Sequence, residues 1–204
     1  MGQTYALPPW GHAAARGMRS RSVPSSPTTE ELRAATGRLV PDLIAPGLQV
    51  LFCGINPGLY SAAAKQHFAR PGNRFWPALH QAGFTERLLA PDESDGLLEL
   101  GDGITTLVGR ATATARDVAP SELVDGGGRL TRRVRWYRPR WVAVLGIGAY
   151  RIAFDHPQAM VGPQPSALAG ARVWVLPSSS GANGTYPLVQ LIRELRVFHD
   201  AVDS

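Results

Sequence analysis

The chain has 204 residues and carries a formal net charge of +5. That length suits one sizeable α/β domain with a short tail, and the positive charge favours a polyanionic partner. The only cysteine, Cys53, excludes an internal disulfide, a four-cysteine cluster and a cysteine zinc site. No apolar run approaches about 18 residues and the start lacks a signal-peptide core, so we expect a cytoplasmic protein that does not span a membrane.

Residues 1–27 predict a poorly ordered extension, because they are rich in arginine, proline and serine and offer little apolar surface for burial. Thr28 and Glu31 then form a capping-box pattern, which opens a helix through about Arg38. We expect residues 28–204 to form a single domain.

Four short apolar segments follow, and their β-forming residues predict strands that are covered on both faces. Helical stretches lie between them, and one of these is expected to continue beyond a break at residues 126–128. Strands that alternate with helices indicate an α/β fold, namely a three-layer α/β/α sandwich with a mainly parallel sheet. The predicted strands are residues 48–53, 104–108, 141–145 and 172–176, and the later helices are residues 74–82, 121–137, 149–154 and 187–201.

A Gly146-Ile147-Gly148 turn follows the third predicted strand and precedes a helix, as a dinucleotide-binding fingerprint does. Arg151 occupies the position of the third glycine, and no acidic residue ends a second strand about 20 residues further on. We therefore interpret this turn as a tight strand-to-helix connection, and we expect neither a nucleotide cofactor nor a metal ion.

The first predicted strand ends in Gly54-Ile55-Asn56-Pro57-Gly58, where the glycines permit a sharp turn and the proline stiffens it. This turn presents Asn56 at the carboxyl end of a strand, where open α/β sheets bind their ligands. Together with Pro71-Gly72-Asn73-Arg74-Phe75-Trp76, the string resembles the mismatch-specific uracil-DNA and thymine-DNA glycosylases. The resemblance runs from about Pro46 to the C-terminal helix.

The resemblance implies a role for several groups around these two motifs. Asn56 occupies the place of an asparagine that positions the attacking water, and Thr112 that of a threonine that helps to hold it. Phe68 falls where an aromatic ring stacks on the flipped base, and Asn73 where an asparagine hydrogen-bonds the pyrimidine edge. Backbone amides of residues 54–58 can donate to a pyrimidine carbonyl oxygen, and we count Gly54 and Ile55 among the base-binding residues.

Each of these side chains also has a simpler interpretation. Asn56 can serve only to form the turn, and Phe68 only to fill the core. Asn73 precedes a predicted helix and can cap it, and Thr112 can be a surface threonine.

A second loop, Pro177-Ser178-Ser179-Ser180-Gly181-Ala182-Asn183-Gly184, follows the last predicted strand. By resemblance, this loop enters the minor groove and fills the space left by the extruded base, and Ser178 and Ser180 bind flanking phosphates. The plugging position between Gly181 and Asn183 holds Ala182 in place of a larger leucine or arginine. A methyl group fills little of the vacated space, so we expect weak selectivity for the opposite base. A flexible Ser/Gly loop is the simpler interpretation.

Asparagine is a poor general base, so Asn56 is expected to orient water without readily taking its proton. This predicts a slow enzyme that acts on good leaving groups. Asp102 or Asp117 can fold near the pocket and supply a stronger base, whereas we interpret His67 as a solvated loop residue. Lys65 is the only lysine and has no counterpart as a Schiff-base nucleophile in the family that the chain resembles, which indicates a monofunctional enzyme.

The sequence supports two functions from different classes. The first is a monofunctional DNA glycosylase that flips uracil, and more weakly thymine or related damaged pyrimidines, out of mismatched DNA and hydrolyses the N-glycosidic bond, which initiates base excision repair. We expect a monomer that binds double-stranded DNA with a G·U or similar mismatch, and also single strands, with phosphate contacts from Arg70, Arg74 and Arg110. The alternative is a non-catalytic Rossmann-like module that binds a nucleotide or DNA through the Gly-rich turns.

Overall fold

The computed structural model describes residues 26–181 and 186–204. Most of the predicted N-terminal extension lies outside the described residues, as do Ala182 and Asn183 of the second loop. Within these residues, five strands form one sheet: β1 (Val50–Gly54), β2 (Asp102–Thr106), β3 (Trp141–Leu145), β4 (Gly162–Pro163) and β5 (Arg172–Leu176). Their spatial order is β2-β1-β3-β5-β4, and only β4, at one edge, pairs antiparallel to its neighbour.

Helices connect the strands, and three pairs of them pack together: α3 with α7, α5 with α6, and α1 with α2. The α-helices of the described part of the chain are α1 (Thr29–Ala34), α2 (Leu59–Ala64), α3 (Phe75–Ala82), α4 (Gly96–Glu99), α5 (Pro120–Tyr137), α6 (Ile147–Ala153) and α7 (Leu188–Val202). Among the described residues, no helix is long and apolar enough to cross a membrane.

Side chains alternate along β1 between the two faces of the sheet, as the pleat requires. Phe52 makes edge-to-face contacts with Phe75 of α3 and Phe198 of α7, at 5.6 and 6.3 Å between ring centroids. Leu51 and Cys53 belong instead to a second buried cluster, which includes residues of α5 and α6. Helices therefore cover both faces, and the predicted three-layer sandwich with a mainly parallel sheet is confirmed.

The order of strands across the sheet changes direction at β1. The chain places β2 on one side of β1 and then crosses over to place β3 on the other side. Such a switch point leaves a crevice at the carboxyl ends of the two strands that flank it. Gly54 ends β1 and Leu145 ends β3, so this edge of the sheet is where the topology favours a ligand.

The predicted break at residues 126–128 is wrong, because α5 runs without interruption from Pro120 to Tyr137. A Cβ at Gly126 would lie 2.6 Å from the carbonyl oxygen of Leu107, and one at Gly127 would lie 2.3 Å from that of Ala153. These two glycines therefore let the helix approach two neighbouring segments closely, and packing outweighs their low helix propensity.

The capping box at the start of α1 is confirmed: Glu31 N donates to Thr28 Oγ1, and Thr28 N donates to the Glu31 carboxylate. The helix ends at Ala34, short of the predicted Arg38. Gly37 has a φ of +75° and donates its N–H to the Ala111 carbonyl, so the chain turns there. All four predicted strands are present with small shifts of their ends, whereas α2, α4 and β4 were not predicted.

Candidate active site at the carboxyl edge of the sheet

A cavity of about 860 Å³ opens at the carboxyl ends of β1, β2 and β3, where Gly54, Thr106 and Leu145 line it. Four connecting segments complete its wall, and they are far apart in the sequence. The structure thus brings most of the predicted site residues together in this cavity, namely Gly54, Ile55, Asn56, Phe68, Asn73, Thr112, Ser178 and Ser180. Gly181 lines a second cavity of about 380 Å³ that adjoins the first, and Asn73 and Ser180 line both cavities.

The side-chain amide of Asn56 has a defined orientation. Its Nδ2 donates to the hydroxyl of Thr112 at 2.7 Å and to the backbone carbonyls of Pro57 and Arg110 at 3.1 and 3.2 Å. Carbonyl oxygens can only accept, so the nitrogen must face them and the Oδ1 atom faces the other way. Oδ1 accepts no hydrogen bond from the residues that the structure describes, and Asn56 therefore offers the cavity an acceptor.

Thr112 is 4% exposed, which rules out the interpretation as a surface threonine. Its hydroxyl donates to the Thr114 carbonyl at 2.6 Å, and it can then accept from Asn56 with an oxygen lone pair. Its backbone N–H donates to the Pro57 carbonyl at 3.2 Å, which ties the segment to the turn after β1. Thr112 is thus arranged to hold Asn56 in place.

No Asp or Glu is among the described residues that line the cavity. Asp102 begins β2, four residues before Thr106, so it lies roughly 13 Å from the cavity end of that strand. Burial is the main cause that raises its pKa to about 7. Asp117 instead caps a turn, because its carboxylate accepts from the Thr114 N–H at 2.8 Å. Neither carboxylate is placed to act as the base.

Phe68 lines the cavity with one ring face already covered, since it stacks on Phe75 at 4.0 Å between centroids and 21° between planes. Its φ of +54° is a left-handed conformation that bulky residues rarely adopt. A Cβ at Gly54 would touch the edge of the Phe68 ring at 3.4 Å, so the glycine keeps the strand end open beside the ring. Only the uncovered face of Phe68 is available to a planar ligand.

Asn73 supports the start of α3 and also lines the cavity, although Arg74 and not Asn73 is the N-cap residue of this helix. Its Oδ1 accepts from the Phe75 N–H at 2.9 Å and so satisfies a donor in the first turn of α3. The residue also lines the cavity. Since Oδ1 is fixed by the helix, Nδ2 is the amide atom with no acceptor among the described residues.

His67 was predicted to be a solvated loop residue, and this is wrong, because the side chain is 5% exposed and lines the cavity. Its Nε2 lies 2.9 Å from the Pro41 carbonyl oxygen, which can only accept, so Nε2 carries the hydrogen. Burial lowers the pKa of His67, and the ring is therefore neutral at pH 7.

Two of the three arginines that we predicted to contact phosphate are engaged by partners within the protein, although the Arg110 side chain is still 39% exposed. Arg110 forms a bidentate salt bridge with Glu122, in which Nε and Nη2 each lie 2.6 Å from a carboxylate oxygen. The hydrogen bonds from Arg110 are the main reason why the pKa of Glu122 falls to about 2. Arg74 donates to backbone carbonyls of the second loop. Arg70 is exposed at the cavity, and so is Arg116, which the sequence analysis missed.

A comparison with protein families agrees with this geometry. A model of the uracil DNA glycosylase superfamily matches residues 41–196, which include all residues that line the cavity. The match supports a glycosidase that acts on uracil in DNA and serves in DNA repair. The chain therefore belongs to the uracil-DNA glycosylase superfamily.

Proposed function

We propose that this chain is a monofunctional, mismatch-directed uracil-DNA glycosylase that flips uracil out of a weak pair and hydrolyses its N-glycosidic bond. The observation that carries this proposal is the orientation of Asn56, whose amide nitrogen is held by Thr112 and two carbonyls while its oxygen is left as an acceptor. A water that donates to this oxygen has a lone pair available for the sugar C1′.

The transition state for this reaction has a cationic sugar and an anionic base, so the site must orient water and stabilise the departing base. Asn56 orients the water but takes its proton poorly, which suits good leaving groups such as uracil. The N–H groups of Ile55 and Asn56 have no acceptor among the described residues, and they can donate to a uracil oxygen as its negative charge grows.

We assign base recognition to the ring of Phe68 and the side-chain amide of Asn73, which also line the cavity. The uncovered face of Phe68 can stack on the base. The Nδ2 group of Asn73 can donate to the O4 acceptor of uracil, whereas cytosine presents an amino donor at that position. Because the Phe75 N–H fixes the amide orientation, the site would favour uracil over cytosine.

A lyase step has no support here. No lysine is among the described residues that line the cavity, and Lys65 is exposed at the C-terminal end of α2. We propose a monomer that works in the cytoplasm, acts on double-stranded DNA with a G·U or similar mismatch and on single strands, removes thymine weakly, and initiates base excision repair.

The Gly146 turn has an explanation that needs no nucleotide. Gly146 has a φ of +134°, and a Cβ there would lie 2.9 Å from Cδ1 of Ile55. The glycine therefore makes room for a residue of the active-site turn. This contact favours the glycosylase over the Rossmann-like binding module.

A fluorescent duplex with one G·U mismatch tests the proposal when it is incubated with the protein and then treated with hot alkali. We expect strand cleavage at the uracil, and a loss of about 10²-fold or more in single-turnover rate for Asn56→Ala. Gln158→Ala removes an exposed side-chain amide that does not line the cavity and should leave the rate unchanged. No cleavage across several lesions, together with nucleotide binding, would support the module instead.

A further inference from the structure

The guanidinium of Arg74 is surrounded by backbone carbonyl oxygens of the second loop. Its Nη2 donates to Ser180 O at 2.5 Å and to Ser178 O at 3.4 Å, and its Nε donates to Ser179 O at 3.4 Å. Its Nη1 donates to the carbonyl of Tyr186. All three nitrogens of the side chain therefore donate to the protein. Their acceptors lie both before residues 182–185, in the loop, and after them, at Tyr186.

The backbone adds two further attachments at the same place. Arg74 N donates to Ser179 O at 3.0 Å, so the loop carbonyl satisfies an N–H at the start of α3. A Cβ at Gly181 would lie only 2.7 Å from the Gly72 carbonyl oxygen, which shows how closely the loop approaches this turn. The turn at residues 70–74 and the start of the loop thus form one packed unit.

This unit joins two parts of the proposed reaction. Asn73, the neighbour of Arg74 in the chain, lines the cavity and accepts the Phe75 N–H at the start of α3. The second loop is the segment that the resemblance expects to enter the duplex and fill the space left by the extruded base. We propose that Arg74 is a positioning residue that holds both flanks of the loop in register with the base-binding turn, and thereby sets the rate of uracil excision from duplex relative to single-stranded DNA. This inference rests on the proposed function.

Arginine has the shape that this role requires. Its planar fork presents five N–H donors in fixed directions, so it can bind carbonyls of both flanks at once. A lysine has the same charge at a single flexible point and cannot span the same set of acceptors. Since hydrogen bonds from a charged donor are stronger than neutral ones, the loop flanks gain order before DNA binds.

The dependence on substrate follows from the energetics of flipping. A base in a duplex must be unstacked and unpaired, whereas a base in a single strand needs little opening. Loss of the Arg74 hydrogen bonds to the loop flanks should therefore slow excision from a duplex and leave excision from a single strand nearly unchanged. A defect of the base-binding turn alone would slow both substrates equally.

The test compares Arg74→Gln, Arg74→Lys and the neighbouring Arg70→Gln on one labelled strand, either paired in a G·U duplex or single-stranded. For Arg74→Gln we expect a single-turnover rate at least 10-fold lower on the duplex and less than about 3-fold lower on the single strand, with Arg74→Lys in between. The slope of log Kd against log salt should stay at the wild-type value for Arg74→Gln and fall by about 1 for Arg70→Gln, which is exposed at the cavity.

Amide hydrogen exchange of the free proteins gives a second readout that needs no activity. Peptides covering residues 178–187 should exchange at least 10-fold faster in Arg74→Gln than in wild type, while those covering α5 and α6 should not change. Equal loss on both substrates, unchanged exchange, or a lower salt slope for Arg74→Gln would each overturn the inference. A wild-type protein that cuts neither substrate would overturn the proposed function, and faster exchange in Arg74→Gln would then still identify Arg74 as the anchor of the loop.

Discussion

The amide of Asn56 and the hydroxyl of Thr112 form one directed chain of hydrogen bonds. Asn56 Nδ2 donates a hydrogen bond to Thr112 Oγ1 at 2.7 Å, and Thr112 Oγ1 in turn donates a hydrogen bond to the Thr114 carbonyl at 2.6 Å. Because the hydrogen of the Thr112 hydroxyl points at the Thr114 carbonyl, a lone pair of the hydroxyl oxygen is left to accept the hydrogen bond from the Asn56 amide. The orientation of the proposed water-binding atom therefore depends on a residue 56 positions away in the sequence.

Thr112→Val keeps the shape of the side chain and removes this acceptor. We expect single-turnover uracil excision to fall by about 5-fold, since one hydrogen bond near the reacting water contributes on the order of 1 kcal/mol. Thr112→Ser keeps the hydroxyl and should retain most of the activity. Equal rates for both variants would show that the hydroxyl does not orient Asn56.

Asn56→Asp should be at least as harmful as Asn56→Ala, although it adds a stronger base. The new carboxylate oxygen would face the carbonyls of Pro57 and Arg110, which now accept from the amide at 3.1 and 3.2 Å. We therefore expect a lower melting temperature for Asn56→Asp than for Asn56→Ala at pH 7.5, and excision about 10²-fold or more below wild type for both. An Asn56→Asp protein that is faster than wild type would contradict the proposed geometry.

Sequence reasoning located this site because strand ends are readable from the sequence. The Gly-rich turn after β1 and the Ser-rich loop after β5 both follow apolar segments, and parallel strands bring their carboxyl ends to one edge. The hydrogen-bond partners of individual side chains, and their positions relative to the cavity, could not be predicted in the same way. Arg74 flanks the motif as a phosphate ligand would, but its acceptors begin 104 residues further along the chain. Arg116 carries no local signal, because only the fold places it at the cavity.

Asp102 should make stability depend on pH. Burial first, and then nearby Asp203, raise its pKa to about 7 from an ordinary value of 3.8, although the Val50 N–H works in the opposite direction. The folded protein therefore holds a proton that the unfolded chain releases above about pH 4, and the free energy of unfolding should fall by up to about 4 kcal/mol as pH rises to 7.

Urea unfolding at several pH values, compared between wild type and Asp102→Asn, measures this contribution. The variant should lose that part of the pH dependence and be more stable than wild type above pH 7. Because Asp102 lies at the end of β2 away from the cavity, excision should be unchanged. Parallel stability curves for the two proteins would count against a buried proton at this carboxyl.

Adjacent glycines of α5 should respond in opposite ways to alanine. At Gly127 a Cβ would lie 2.3 Å from the Ala153 carbonyl oxygen, whereas at the exposed Gly128 the nearest atom is a flexible Arg132 nitrogen at 3.8 Å. We expect Gly127→Ala to lose on the order of 2 kcal/mol of stability and Gly128→Ala to gain about 0.5–1 kcal/mol. Denaturant midpoints measure both, and a gain at both positions would show that the helix does not need its close approach to α6.

The last prediction concerns Ala182, which lies outside the described residues. Flipping requires a few kcal/mol of unstacking and unpairing, and least for mismatched or single-stranded bases. A methyl group at the plugging position recovers little of that energy and contacts little of the opposite base. We therefore expect uracil to be removed from G·U pairs and from single strands with weak dependence on the opposite base, and thymine to be removed slowly or not at all.

Single-turnover excision of uracil opposite G, opposite A and in a single strand measures this dependence in wild type, Ala182→Leu and Ala182→Arg. A larger plug should speed excision from duplexes, because it fills the vacated space, and should leave the single-strand rate unchanged. Ala182→Arg should also sharpen the preference for G, since its guanidinium can donate to the O6 acceptor that a widowed guanine leaves unpaired beside the vacated space. If wild type cuts only the G·U duplex and neither enlargement alters that preference, opposite-base selectivity resides in another part of the protein.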